Sequence, residues 1–292
     1  MSVRAGKAKV FPSRGFCVCQ TLFCGCGNKT VDLCVQNAFL NSFSLETGLY
    51  TDANQIDFGD YDNDGDLDML MASGLPIYGL ALFENRDGTP SPTPSRTIGP
   101  RLYSESSIFG DIDSDNDLDI IATYPKTGTT VIYRNDGGQF DEGTEVYRSD
   151  RVRHCQRIYC VDINNDGQSE LFCAKGPWGP PGQSLALSHQ KGSSKMKVVW
   201  RSPPDTGFHG FDFQDIDDDG DLDLAAADWG GRSVSIFLQE GGMIASQPAW
   251  IAKTPAPVHE VMFGDVDGDG DLDLAAGGLD QAMLFDNLTH NQ

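Results

Sequence analysis

One acidic nonapeptide recurs five times along this chain of 292 residues. It reads DYDNDGDLD from Asp60, DIDSDNDLD from Asp111, DINNDGQSE from Asp162, DIDDDGDLD from Asp215 and DVDGDGDLD from Asp265, at intervals of 51, 51, 53 and 50 residues. These loops hold 24 of the 43 acidic residues. Self-similarity at a fixed period means that one supersecondary unit is stacked repeatedly, because a unit that short cannot bury its own apolar face.

The flanks repeat as well. Two residues before each first acid stand Phe58, Phe109, Cys160, Phe213 and Phe263, and just after the loops come MLMA, IIAT, LFCA, LAAA and LAAG. A further strand-like run follows in LALFEN, TVIYRN, SVSIFL and AMLFDN. Apolar runs of strand length separated by Gly, Pro, Asn and Asp predict four short antiparallel strands per unit, with almost no helix signal. The expected fold is all-β, a five-bladed propeller with about 50 residues and four strands per blade. After the last loop only two more strands fit, so the segment NSFSLETGL at residues 41–49, placed before Asp60 as SQPAWIAKT is placed before Asp265, is expected to complete the fifth blade and lock the ring. Closure removes exposed sheet edges. Residues 1–36 match no repeat and read as a Cys-rich extension, leaving 37–292 as the propeller.

Alternating carboxylates repel one another, and a bound cation reverses that balance. Calcium suits the pattern because it takes six to eight oxygen ligands in flexible geometry. Numbered from the first acid, side chains at positions 1, 3, 5 and 9 are expected to converge on one ion, with the position 7 carbonyl as a further donor. The ligands are Asp60, Asp62, Asp64, Asp68 and, through its carbonyl, Asp66; then Asp111, Asp113, Asp115, Asp119 and Asp117; Asp162, Asn164, Asp166, Glu170 and Gln168; Asp215, Asp217, Asp219, Asp223 and Asp221; Asp265, Asp267, Asp269, Asp273 and Asp271. Up to five ions follow, one per repeat. The third loop, with the fewest charges, is expected to bind most weakly. Position 6 needs a left-handed turn and is Gly except at Asn116, a residue that tolerates that conformation. An EF-hand is excluded: it needs Glu at position 12, where this chain has Met71, Ala122, Cys173, Ala226 and Ala276, and flanking helices.

The Phe-Gly-Asp lead-in at Phe58 and Phe263 with the D-x-D-x-D-G-x-L-D core resembles the FG-GAP and VCBS repeats of integrin-α-type propellers, over about residues 41–289. The resemblance implies calcium in the loops, an extracellular or cell-surface setting, and ligand binding or adhesion, with lectins among the similar propellers. The chain departs from many such proteins in having five repeats and no Gly-Ala-Pro element. The expected function is therefore a calcium-binding adhesion module for a glycan or protein ligand. The alternative is a polysaccharide lyase or hydrolase on the same scaffold, with Arg153, His154 and Arg157 breaking the repeat pattern.

A net charge of -22 with no basic patch argues against nucleic acid and anionic membrane surfaces as partners, and no apolar run is long enough for membrane insertion as a helix. Six residues before each first acid stand Asn54, Glu105, Gln156, His209 and His259, which would gather at one mouth of the channel as either a ligand site or a solvated rim. His209, His259, Trp178 in GPWGPPG and Trp229 in DWGGR are the candidate ligand-binding residues. Tyr147, Trp200 and Trp250 recur fifteen residues before a first acid, as packing between blades or as sugar-stacking faces. Cys155, Cys160 and Cys173 fall in the third repeat as buried thiols or a local disulfide, while Cys17, Cys19, Cys24, Cys26 and Cys34 lack zinc spacing.

Overall fold

The computed structural model describes residues 53–73, 79–149, 155–177, 182–279 and 281–287. Every regular element among them is a strand. The first unit comprises β1 (Ala53–Gly59), β2 (Asp68–Ser73), β3 (Gly79–Phe83), a small hairpin of β4 (Asn85–Arg86) and β5 (Thr89–Pro90), and β6 (Arg96–Ile98). The second repeats it as β7 (Ser106–Gly110), β8 (Asp119–Tyr124), β9 (Thr129–Tyr133), β10 (Asn135–Asp136), β11 (Gln139–Phe140) and β12 (Thr144–Arg148). The third has β13 (Arg157–Val161), β14 (Glu170–Ala174), β15 (Leu185–His189) and β16 (Met196–Arg201). The fourth has β17 (Gly210–Gln214), β18 (Asp223–Asp228), β19 (Ser233–Phe237), the hairpin β20 (Gln239–Glu240) and β21 (Met243–Ile244), and β22 (Trp250–Lys253). The fifth has β23 (Val258–Gly264), β24 (Asp273–Gly278) and β25 (Gln281–Phe285). The first four units form four-stranded antiparallel sheets in meander order, and the fifth a three-stranded one.

The second strands of the inner sheets are rich in apolar residues because neighbouring sheets cover both faces, as at β8 and β14, whose residues are all buried. Four core clusters lie between adjacent sheets, and a fifth, of Met71, Ala81 and Phe83, belongs to the first sheet alone. At every internal junction the apolar residue at loop position 2 of one unit meets the residue before the loop of the next: Tyr61 with Phe109, Ile112 with Cys160, Ile163 with Phe213, Ile216 with Phe263. The densest junction joins the third and fourth units, where Phe172 contacts Phe213 at 4.8 Å and Trp200 at 6.2 Å. Trp200 also donates through Nε1 to the Ala245 carbonyl, and Tyr147 packs against the core between the second and third units. These two recurring aromatics are packing residues.

Polar side chains stitch the first strands together. The backbone N–H of Phe109 donates to Asp57 Oδ2 (2.8 Å), that of Ile158 to Ser106 Oγ (3.0 Å), that of Phe211 to Tyr159 OH (3.1 Å) and that of Phe263 to Asp212 Oδ2 (2.7 Å). Each link spans 51 or 52 residues, so the first strands run side by side in one direction. All five acidic loops therefore lie at one end of the molecule, and the residues six positions before them at the other. A second stitch joins the side-chain nitrogens of Asn135, His189 and Gln239, just past or at the end of the third strand, to the carbonyls of Tyr61, Ile112 and Ile163 in the preceding unit.

Among the described residues, neither terminal unit has a neighbouring sheet on its outer side. Phe58 is 58% exposed where Phe109 is 6%, and Val266 is 49% exposed where Ile163 is 1%. The expected closing strand at 41–49 lies outside the described residues, as do residues 1–36 and their cysteines. Cys155, Cys160 and Cys173 are free thiols. Burial raises the Cys160 thiol to about 12 and also pushes the Cys155 thiol well above its ordinary value, so neither is a ready thiolate.

Candidate functional site

The five acidic loops share one backbone. Position 6 is left-handed in all of them, with φ of 96° at Gly65, 73° at Asn116, 88° at Gly167, 94° at Gly220 and 98° at Gly270. Position 4 is left-handed too, at Asn63, Ser114, Asn165, Asp218 and Gly268. This second constraint was visible only as a preference for Asn, Asp, Ser and Gly, ordinary turn residues. In the first four loops the carboxylate at position 1 receives the N–H groups of positions 5 and 6, as when Asp60 accepts from Asp64 and Gly65 at 3.0 Å each, whereas in the fifth Asp265 accepts from the position 4 N–H of Gly268 at 2.7 Å.

Carboxylate oxygens come within 4.8 Å of one another in Asp60, Asp62 and Asp68; in Asp111, Asp113 and Asp115; in Asp215, Asp217 and Asp223; and in Asp265, Asp267 and Asp269. The structure so brings together three of the four predicted side chains in each of these loops. Among the described residues the third loop, with Asp162, Asn164, Asp166 and Glu170, forms no such acidic trio, in line with its thinner charge. Asp62 Oδ1 is buried without a hydrogen-bond partner. A hard, all-oxygen donor set with an orphaned carboxylate oxygen fits a calcium ion.

Position 9 has a second role. Asp68, Asp119, Glu170, Asp223 and Asp273 are all buried, and each ties the loop to its own sheet. Asp223, for example, accepts from Gln239 N at 2.8 Å and from Ile216 N at 3.1 Å. Burial raises Asp68 to about 6 and Asp119 to about 7, against the pull of these N–H groups. Position 7 side chains reach outward instead: Asp66 Oδ2 accepts from Gly88 N and Asp117 Oδ2 from Gly137 N, fixing the outer hairpins.

At the opposite end three of the four predicted ligand residues converge. The His209 and His259 rings lie 4.7 Å apart, edge to face, and Trp229 lies 4.1 Å from His259 and 6.3 Å from His209. Trp178 lies outside the described residues. His209 Nδ1 donates to the His259 carbonyl at 2.9 Å, which leaves Nε2 as its lone-pair nitrogen. Arg157, one of the residues that break the repeat pattern, is ion-paired with Glu260 and adds a charge near both imidazoles. Asn54 instead bonds to the Ser104 carbonyl.

Burial, with Arg157 nearby, lowers His209 to about 4. The unfolded chain takes up this proton near pH 6.5, whereas the folded protein resists it until about 4, so this group's contribution to stability is full above 6.5 and is lost as pH falls toward 4. The urea midpoint of the wild type should fall more between pH 7 and pH 5 than that of His209→Gln. Equal falls would show that the imidazole is not held neutral.

The repeat geometry has a family counterpart. The FG-GAP-like repeat matches at residues 60–122, 111–173 and 182–276, which together cover most of the chain. The chain belongs to the FG-GAP-like repeat family. Comparison with curated proteins found no match. FG-GAP-like repeats make integrin-α-like propeller modules, often bind calcium and are typical of extracellular proteins. Among the described residues no helix is long and apolar enough to cross a membrane.

Proposed function

We propose that this FG-GAP-like protein is an extracellular binding or adhesion module, a five-bladed propeller held by calcium at one end and presenting a glycan or protein ligand surface at the other. The observation that carries the reading is the division of labour between the ends: four carboxylate trios converge in the acidic loops, while His209, His259 and Trp229 converge at the far mouth. An aromatic face beside neutral imidazoles offers stacking and hydrogen bonding without a charge to desolvate, which suits sugar hydroxyls or a peptide. A glycan array, run with calcium beside a screen of immobilised proteins, tests it. Trp229→Ala is expected to abolish the captured ligand at an unchanged melting temperature; binding unaffected by Trp229→Ala and His259→Ala would remove this mouth as the site.

Ring closure belongs to the same reading. Among the described residues β25 has a partner on one edge only and the fifth sheet has three strands where the others have four, and in sequence residues 41–49 precede β1 as the fourth strands precede β7, β13, β17 and β23. Pairing of 41–49 with β25 would bring Val266 against Phe58 as at the internal junctions.

One observation favours the catalytic alternative. Arg157 stands with Glu260 beside His209, whose free Nε2 has the form of a general base, and an arginine near a base is the pairing that uronate elimination requires. Depolymerisation assays on acidic polysaccharides separate turnover from binding.

A further inference from the structure

The acidic loops differ at one position outside the nonapeptide. The register of the second and third strands pairs Met69 with Phe83, Ile120 with Tyr133, Leu171 with Leu187, Leu224 with Phe237 and Leu274 with Phe285. The next residue along each third strand lies beside that unit's loop, and it is Glu84, Arg134, Ser188, Leu238 and Asp286 in turn. The second unit alone places a cation there. Arg134 NH1 lies 2.5 Å from Asp113 Oδ2 and 3.2 Å from Asp119 Oδ2, so one nitrogen touches the acids at positions 3 and 9. Its backbone N–H donates to Asp141 Oδ1 at 3.0 Å, which fixes the start of the side chain.

We infer that the Arg134 guanidinium is the resident cation of the second loop and takes the place of calcium there. Two of the four side chains expected to bind the ion are engaged by Arg134, and a divalent ion entering the loop would have to displace a charge already held within contact distance of both. Direct repulsion between the ion and the guanidinium adds to that cost. Asp119 stands outside the second loop's carboxylate trio, as Asp273 does in the fifth, whereas Asp68 and Asp223 belong to theirs; what sets the second loop apart is the guanidinium on Asp113 and Asp119. In the first unit Glu84 occupies the corresponding position and pairs outward with Arg86 at 2.9 Å, leaving its loop without an internal cation. In the fifth, Asp286 adds a carboxylate beside Asp273. The weakest site is therefore the second loop as well as the charge-poor third.

This inference rests on the calcium reading, and ion counting on the full chain distinguishes the two. Bound calcium is counted by native mass spectrometry and equilibrium dialysis for the wild type, for Arg134→Leu and Arg134→Ser, which install residues found at this position in the fourth and third units, and for Asp111→Asn/Asp115→Asn. Each variant's fold is checked by circular dichroism. Both Arg134 variants should bind one ion more than the wild type, and the double Asn variant should bind as many as the wild type. An ion lost from the double Asn variant, or no gain in either folded Arg134 variant while the wild type holds calcium, would overturn the inference alone. No calcium on any of the proteins would overturn the calcium reading and this inference with it.

Discussion

Excess chelator is expected to lower the melting temperature of the calcium-loaded protein by on the order of 10 °C, and added calcium to restore it. The magnitude follows from linkage. Calcium sites of extracellular modules commonly have dissociation constants of about 10⁻⁴ to 10⁻³ M, so at a few millimolar free ion each occupied loop adds about 1–2 kcal/mol. Three well-formed loops would add about 3–6 kcal/mol, at roughly 2–4 °C per kcal/mol for a chain of this size. The loss arises because removal of the ion leaves Asp60, Asp62 and Asp68, with their equivalents, as like charges held within 4.8 Å by a backbone that cannot spread. Differential scanning calorimetry with chelator and then excess calcium measures it. An unchanged melt in chelator would sink structural calcium.

Phe213→Ala is the second large effect, at about 3–5 kcal/mol in urea unfolding. Its ring is 8% exposed and meets Phe172 at 4.8 Å, Tyr159 at 6.1 Å and Phe211 at 6.2 Å, a packed cluster with nothing to refill the space. The same substitution at Phe58 reads the state of the ring, because Phe58 holds the same repeat position at the one junction without a described partner. Closure by residues 41–49 puts Phe58→Ala at about 2 kcal/mol or more, the range for a buried aromatic. A cost under about 1 kcal/mol, as for an exposed side chain, would leave an open arc of five sheets.

The calcium reading and the mouth reading differ in how directly the chain announces them. The backbone of the loops was largely legible: the alternate acids, the left-handed position 6 and the tolerance of Asn116 follow from short-range stereochemistry, and Asn116 adopts φ of 73°. The mouth was legible only as a list. His209 and His259 were marked by their shared offset and Trp229 by its Gly-rich loop, but nothing local says that the three rings meet within 6.3 Å or that Arg157 stands beside them. Arg134 escaped notice altogether, since it lies 15 residues beyond Asp119 in a strand that otherwise looks like its neighbours.

By itself the sequence determined the unit: strand, acidic turn, strand, with the period that repeats it, because hydrogen bonding along a hairpin and the sterics of a tight turn involve residues only a few positions apart. The tertiary structure decided how the units meet. Asp57 serving the Phe109 N–H, Asn135 reaching back to the Tyr61 carbonyl and His209 resting on the His259 carbonyl join residues 50 to 74 positions apart. Such pairings depend on which side chains packing brings alongside one another, and a pattern that repeats identically in every unit carries no record of the residues that differ between them.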